Sequence, residues 1–343
     1  MFKSRLNPYS SVPVLLLVLL FGSIGQKTVK ADTVIQSIAV GSTPMDVAVS
    51  PSGDRVYVTN QGSNTVSVID TTTTPNTVIA NVAAPAGSIL TNLAVNPANT
   101  KVFVVSQNTG ILVLNTGSLT FNASPITVGT TPIDVAFDSA GNAYVTNYTT
   151  WNVSIIDTLG VVRNIGVHEG PRGITVANIG GAERVYFACA GASNSEVGYF
   201  AAGAMGGSVT HFNVAGGAFF VAARPDGAKI YVSLNASNQT ASITTAAIPV
   251  VTTFTNSGGA PFGVAVAATP TGNRVFVADS NGTGINWDLT RISSTTTTDS
   301  LLTLIGVTKK PKGVAANAAG TRVYVACLGT GSAGKVDVID TTI

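Results

Sequence analysis

"RVYVTNQGSNTVSVID", residues 55–70, contains two short apolar runs that flank a polar loop, QGSN, at residues 61–64. Runs of β-branched and aromatic residues that alternate with polar ones predict β-strands, and a loop of Gly, Ser and Asn predicts a turn between them. The chain repeats this unit at intervals of 41–48 residues. The aromatic position that marks each copy is occupied by Tyr57, Phe103, Tyr144, Tyr186, Tyr231, Phe276 and Tyr324.

The copies contain their strand-like segments in the same order. In the first copy the loop GSTPMD (41–46) precedes the apolar run VAV (47–49), and the turn SPSGD (50–54) leads into the two runs described above. A fourth run, TVIANV (77–82), completes the unit. Four antiparallel strands in a repeat of this length are typical of one propeller blade. The sequence therefore predicts an all-β fold, a seven-bladed β-propeller of four-stranded antiparallel blades.

The two ends of the chain predict how the ring of blades closes. The last repeat runs out after its third strand, KVDVIDTTI (335–343), whereas residues 33–44 match the fourth-strand segment LLTLIGVTKKP (301–311). We expect the N-terminal strand to pair into the last blade and close the ring. Closure would remove the exposed sheet edges that otherwise promote aggregation.

The N-terminal segment has a different composition from the repeats. Two cations precede a short apolar run at residues 12–22, and a small residue, Ala31, fits a cleavage site. The run is shorter than the roughly 20 apolar residues that a membrane helix needs, so an uncleaved anchor is the less favoured alternative. We predict a signal peptide over residues 1–31 and the propeller over residues 32–343. The protein is then exported, whether periplasmic, secreted or at the cell surface, and has no integral membrane span after cleavage.

The charge of the chain argues against one class of partner. Charged residues make up 10% of the sequence, and the formal net charge is +2. The signal segment contains four cations and no acidic residue, so its removal changes the net charge to −2. A nucleic-acid-binding protein needs a clustered cationic face, and the repeats show none. We therefore expect no nucleic-acid partner, and we expect the protein to be a monomer.

The motif YVTN, at residues 57–60 and 144–147, follows segments of the type PxDVAV or PxGVAV and precedes VSVID or VSIID. With these motifs the chain resembles the YVTN family of β-propeller repeats over residues 33–343. The resemblance implies an exported seven-bladed propeller of the kind found in surface-layer, adhesive and periplasmic proteins, mostly without a defined activity. Similar blades occur in lactonase-type enzymes and in cofactor domains of denitrification enzymes. Blades two, four and five depart from the motif, with FVVS, YFAC and YVSL in its place.

Propellers usually bind partners where the loops that precede the first strands and those that follow the second strands share one face around the channel. Amides, charges and aromatic rings on a rigid ring of loops suit a polar ligand. We predict a non-enzymatic binding platform whose partner is a protein, peptide or glycan at the envelope surface. The candidate ligand-binding residues are Asp46, Asn60, Asn92, Asp134, Asn147, Tyr148, Trp151, Arg172, Asp279 and Lys312.

Two other functions remain open at this point. Asp46, Asn92 and Asp134 occupy equivalent positions in three consecutive blades, and such an arc could hold a divalent cation, calcium above all, in a lactonase-like periplasmic hydrolase or lyase. The sequence shows no general base of the right kind beside them, so we predict no catalytic residues and no other cofactor. The second alternative is an inert structural component of the cell surface.

The histidines and cysteines give weaker signals. His168 and His211 are too few for most metal sites, and the local pair His168-Glu169 fits a solvated loop better than a ligand or acid–base pair. Cys189 and Cys327 occupy the same repeat position in blades four and seven, nearly across the ring. That separation far exceeds the reach of a disulfide, so we predict two buried thiols.

Overall fold

The structure is a computed structural model that describes residues 32–191, 195–203, 207–247, 249–256, 259–280, 288–295, 298–302, 304–329 and 333–342. The predicted signal peptide lies outside the described residues and stays a prediction. The described chain folds into β-strands joined by turns. In this part of the chain no helix is long and apolar enough to cross a membrane.

The strands are arranged in seven sheets, one for each repeat. The first strand is β1 (Thr33–Val40), and blade one contains β2 (Pro44–Val49), β3 (Arg55–Asn60), β4 (Thr65–Asp70) and β5 (Thr77–Ala83). Blade two contains β6 (Leu90–Val95), β7 (Lys101–Ser106), β8 (Gly110–Asn115) and β9 (Thr120–Phe121). Blade three contains β10 (Pro132–Phe137), β11 (Ala143–Asn147), β12 (Asn152–Ile156) and β13 (Val162–Gly166).

Blades four to seven follow the same plan. Blade four contains β14 (Pro171–Ile179), β15 (Ala182–Ala190), β16 (Ser195–Ala201) and β17 (Thr210–Asn213). Blade five contains β18 (Ala218–Ala223), β19 (Lys229–Leu234), β20 (Gln239–Thr244) and β21 (Val251–Thr255). Blade six contains β22 (Pro261–Thr269), β23 (Gly272–Asp279), β24 (Asp288–Ser294) and β25 (Asp299–Leu301), with β26 (Ile305–Gly306) also paired to β24. Blade seven contains β27 (Pro311–Ala316), β28 (Arg322–Cys327) and β29 (Gly334–Asp340).

The N-terminal strand closes the ring as predicted. Strand β1 is the outermost strand of blade seven, in the order β1-β29-β28-β27, and its antiparallel register runs from Thr33 opposite Asp340 to Val40 opposite Gly334. The carboxylate of Asp32, which directly precedes β1, is buried between two arginines of blade six, Arg274 and Arg291. The fold prediction, an all-β propeller of seven four-stranded blades, is thus confirmed.

The core of the protein lies between blades, because each sheet covers the face of its neighbour. Tyr57 and Val68 of blade one pack against Leu93 and Val104 of blade two, and all four side chains are buried. Fully burying one such side chain stabilises a fold by roughly 1.5–3 kcal/mol. All seven aromatic marker positions are buried in this way. The low charge of the sequence follows, because both faces of every blade are covered.

The threonine of the YVTN motif joins neighbouring blades. The hydroxyl of Thr59 accepts a hydrogen bond from the backbone N–H of Asp46 at 3.1 Å and donates one to the carbonyl of Thr91 in the next blade. Thr146 makes the same pair of contacts, with the N–H of Asp134 at 3.2 Å and the carbonyl of Arg172. The threonine therefore holds one inner strand against the next.

The asparagine of the motif connects strands within a blade. The amide of Asn60 donates to the hydroxyl of Ser67 at 2.8 Å, and Ser67 in turn donates to the side-chain oxygen of Asn81 at 2.6 Å. This chain of hydrogen bonds runs from the second strand to the fourth. In blade three the same chain links Asn147, Ser154 and Asn164. The motif is thus explained by the hydrogen bonds that the blade needs.

Both cysteines take the place of this asparagine. Cys189 and Cys327 are free and fully buried, so the prediction of two buried thiols is confirmed.

Candidate functional site

The three predicted polar residues of the inner strands do come together in the central channel. Asp46, Asn92 and Asp134 line one side of a cavity of about 120 Å³. The rest of its lining consists of Val47, Phe220, Val221, Phe262, Gly263, Val264, Gly313 and Val314. One half of the channel is therefore polar and the other half is apolar.

Both aspartates connect the inner strands of consecutive blades. A side-chain oxygen of Asp46 accepts a hydrogen bond from the N–H of Leu93 in blade two at 3.2 Å. Asp134 accepts one from the N–H of Ile174 in blade four and one from its own neighbour Val135, both at 2.9 Å. These bonds satisfy N–H groups at the inner edge of the sheets, where no further strand is available to accept them.

The two carboxyl groups hold their protons far above the ordinary pKa of 3.8. Desolvation by burial, followed by the nearby carboxylate of Asp134, raises the pKa of Asp46 to about 8, against hydrogen bonds from Val47 and Leu93 that lower it. Burial likewise raises the pKa of Asp134 to about 7. Asp46 keeps some exposed surface through the channel, but protein atoms crowd its carboxyl group, so desolvation dominates.

The opposite side of the channel is closed by glycines at the equivalent repeat position. A Cβ atom on Gly313 would lie 2.5 Å from the Cα atom of Asp46, and one on Gly173 would lie 2.5 Å from the Cα atom of Phe220. Neighbouring inner strands approach too closely at these points for any side chain. The glycines are therefore explained by packing.

The rim above the channel carries a continuous row of cations and aromatic rings that we call the cation–aromatic arc, formed by Tyr148, Arg172, Phe219, Phe262 and Lys312. The guanidinium of Arg172 lies between two rings, 4.7 Å from the centre of Tyr148 and 4.5 Å from that of Phe219. Phe219 and Phe262 are 5.0 Å apart, and the ammonium of Lys312 lies 4.1 Å from the centre of Phe262. The arc extends from blade three to blade seven.

Both cations of the arc are partly removed from water, and in the part of the chain that the structure describes neither forms an ion pair with a carboxylate. Desolvation lowers the pKa of Arg172, and desolvation together with nearby Lys310 lowers the pKa of Lys312. Among the described residues, the Nε atom of Arg172 is buried without a hydrogen-bond partner. Cations in this state gain more from an anionic ligand than fully hydrated cations do.

Three of the predicted ligand-binding residues are used inside the blades. Asn60 and Asn147 are fully buried in the hydrogen-bonded chains described above. Asp279 is also fully buried and accepts hydrogen bonds from Asn256, at 2.8 Å, and from Thr290. The structure therefore gives these side chains a structural explanation and presents none of them on the face.

Trp151 lies on the face and is 51% exposed. It ends the turn that contains Tyr148, with a positive φ of 49°, and its carbonyl accepts a hydrogen bond from the N–H of Val167 at 2.9 Å. The exposed indole and the half-buried Tyr148 ring thus come from one turn of blade three.

Sequence reasoning missed two features of this face. Phe219 completes the cation–aromatic arc, and its repeat position matches those of Arg172, Phe262 and Lys312, which is the signal that could have identified it. The second feature is a cluster on blade four that brings His168 and His211 together around the carboxylate of Glu196.

A larger cavity, of about 280 Å³, lies between blades two and three, among the turns at the other end of the strands. Strand β9 of blade two has only two residues, and Asn122, which follows it, lines the cavity. Its lining includes Phe103 and Phe137 and brings no candidate site residue together.

Comparison with known proteins supports the fold. Neither a protein-family model nor a curated protein matches the sequence. Among solved structures, hydrazine synthase of Kuenenia stuttgartiensis is similar with a TM-score of 0.72 and 20% identity, over 93% of this chain and 99% of that chain. A streptogramin B lyase is similar with a TM-score of 0.70 and 15% identity, over 88% of this chain and 97% of that chain.

Virginiamycin B lyase from Staphylococcus aureus is similar as well, with a TM-score of 0.68 and 16% identity, over 89% of this chain and 99% of that chain. That structure is of a catalytically inactive histidine-to-alanine variant with quinupristin. At these identities the likeness shows the propeller fold alone.

Proposed function

We propose that the protein is an exported, YVTN-type propeller that binds an acidic glycan at the mouth of its channel. The observation that carries the proposal is the cation–aromatic arc, in which Arg172 and Lys312 are desolvated and have no acidic partner among the described residues. A ligand carboxylate would supply that partner and form charge-assisted hydrogen bonds with the guanidinium.

A glycan suits the rest of the mouth better than a peptide does. Near neutral pH the raised pKa values of Asp46 and Asp134 leave these groups able to donate as well as accept hydrogen bonds, and Asn92 can do both. Such groups match sugar hydroxyls, which also donate and accept. The exposed indole of Trp151 offers a flat apolar surface for a sugar ring.

Glycan and peptide arrays would test this function. We expect the purified protein to retain carboxylated oligosaccharides, and we expect Arg172→Gln to reduce their affinity by roughly 10-fold or more, because a hydrogen bond to a charged group contributes about 1.5–3 kcal/mol. Arg163→Gln is the matched control, since Arg163 lies on the outer strand β13, away from the channel. Equal loss in both variants, or retention of neutral glycans or acidic peptides in place of acidic glycans, would refute the proposal.

A lyase or hydrolase is the second candidate function. It is favoured by the similarity to the two lyases and by Asp134, whose pKa of about 7 is suited to proton transfer. A lactonase-like version would place calcium between Asp46, Asn92 and Asp134. We favour proton binding there, because backbone N–H groups already occupy the carboxylate oxygens. Turnover of quinupristin, or a calcium-dependent rise in melting temperature that Asp134→Asn abolishes, would support the enzyme instead.

A further inference from the structure

Three side chains from different segments meet on blade four, away from the channel lining. His168 lies in the loop between β13 and β14, Glu196 lies at the start of β16, and His211 lies in β17. Their potential ligand atoms all lie within 4.8 Å of one another. The cluster shares no residue with the cation–aromatic arc or with the channel cavity, so it is independent of the function proposed above.

The geometry of the cluster is that of two imidazoles aimed at one carboxylate. The Nδ1 atom of His168 is hydrogen-bonded to Oε1 of Glu196, and the Nδ1 atom of His211 lies 3.3 Å from the same oxygen. The two rings are stacked, with centres 3.7 Å apart and planes 8° from parallel. The Glu196 side chain is 5% exposed and that of His211 is 14% exposed, whereas that of His168 is 58% exposed.

The inner imidazole, that of His211, packs against Phe187, with ring centres 5.8 Å apart and planes 79° from parallel. This contact and the stack with His168 hold the His211 ring beside Glu196. A neutral imidazole offers a lone pair to a cation, which a protonated ring does not.

We propose that His168, Glu196 and His211 bind a zinc ion, through two imidazole nitrogens and one carboxylate oxygen. Two histidines and one glutamate form a known ligand set for zinc sites that keep a coordination position open. Because the two rings are stacked, one ion can receive a lone pair from each only if the His168 ring turns out of the stack, and its 58% exposed side chain has the space to do so.

The nearby thiol is outside this ligand set. The sulfur of Cys189 lies 3.6 Å from the carbonyl oxygen of His168, to which it donates a hydrogen bond. That hydrogen bond supports the backbone of the His168 loop, and the group of ligand atoms that lie within 4.8 Å of one another does not include this sulfur. Metal binding should therefore survive the change Cys189→Ser.

Calorimetric titration of the purified protein with zinc chloride, after treatment with a chelator, tests the site. We expect one zinc ion per chain. His168→Ala, at an exposed position that does not threaten folding, should weaken binding by at least about 100-fold, since loss of a mere outer-shell partner costs 10–100-fold. Glu169→Gln is the matched control and should bind as the unmodified protein does.

Cobalt substitution gives a second readout, because its visible absorption reports ligand number directly. The proposal is overturned if zinc does not bind, if His168→Ala binds as tightly as the unmodified protein, or if Cys189→Ser rather than His168→Ala abolishes binding. A glycan-array failure would leave this result unchanged, so the two proposals fail separately.

Discussion

The channel aspartates should make the protein lose stability as the pH rises through the mildly acidic range. In the unfolded chain both carboxyl groups lose their protons near the ordinary pKa of 3.8, whereas in the fold Asp134 keeps its proton to about pH 7 and Asp46 to about pH 8. Between these limits the folded state binds more protons than the unfolded state. The free energy of unfolding therefore falls with pH, by at most about 1.4 kcal/mol per pH unit for each group.

Asp134→Asn isolates one of these two contributions. The amide cannot titrate, so the slope of unfolding free energy against pH should become less negative by about 1.4 kcal/mol per unit between about pH 5 and 6.5. At about pH 5 the variant should be the less stable protein. Its amide nitrogen cannot accept the hydrogen bond of Val135 or Ile174, and an unsatisfied buried N–H costs about 1–3 kcal/mol.

Urea unfolding at several pH values, followed by tyrosine and tryptophan fluorescence, measures both quantities. Other groups titrate in this range. Burial raises the pKa of Asp279 to about 6, which adds to the loss of stability with rising pH. The lowered pKa of His211 opposes that loss below about pH 6.5. Both groups are present in the unmodified protein and in the variant, so they cancel in the comparison. Identical slopes would show that Asp134 is ionised in the fold and would refute the reasoning.

Two further predictions concern closure of the ring. Asp32→Asn removes the buried carboxylate that pairs with Arg274 and Arg291 and should lower the unfolding free energy by about 3–5 kcal/mol, measured in urea. Asp70→Asn, at a surface turn, should change it far less. Gly313→Ala forces a Cβ atom against Asp46 and should lower the unfolding free energy by about 1–3 kcal/mol in the same assay. Gly166→Ala should not lower it, because a Cβ atom there meets no atom within 4 Å.

The sequence predicted the fold well because the signals that specify it are repeated. Alternating apolar residues, a turn that contains Pro or Gly, and the aromatic marker recur seven times, so the departures of single blades from the pattern do not change the prediction. The truncated last repeat, completed by residues 33–40, was enough to predict closure. The fold prediction needed only local patterns and a period.

The site was harder to predict because it depends on side-chain direction and register. Asn60 stands at the end of a strand, at the face around the channel mouth, yet its amide turns back into the blade to reach Ser67. The metal-binding cluster depends on the pairing of β16 with β17, which sets Gly198 opposite His211 and so brings Glu196 within reach of the histidine. Neither feature is visible as a local pattern, and 15 residues separate Glu196 from His211.

Two neighbouring repeat positions on the inner strands have different roles. At the position of Asp46, Asp134 and Gly313 the inner strands converge: the two aspartates bond to the next inner strand, and Gly313 leaves no side chain where one would collide with Asp46. This position is therefore determined largely by closure of the ring. The position just before it, where Arg172 and Lys312 stand, lies above the convergence and is free of that constraint. Recognition of a ligand is best sought there. Apolar side chains would pack the inner strands as well as cations held against aromatic rings do, so packing alone does not explain the cations.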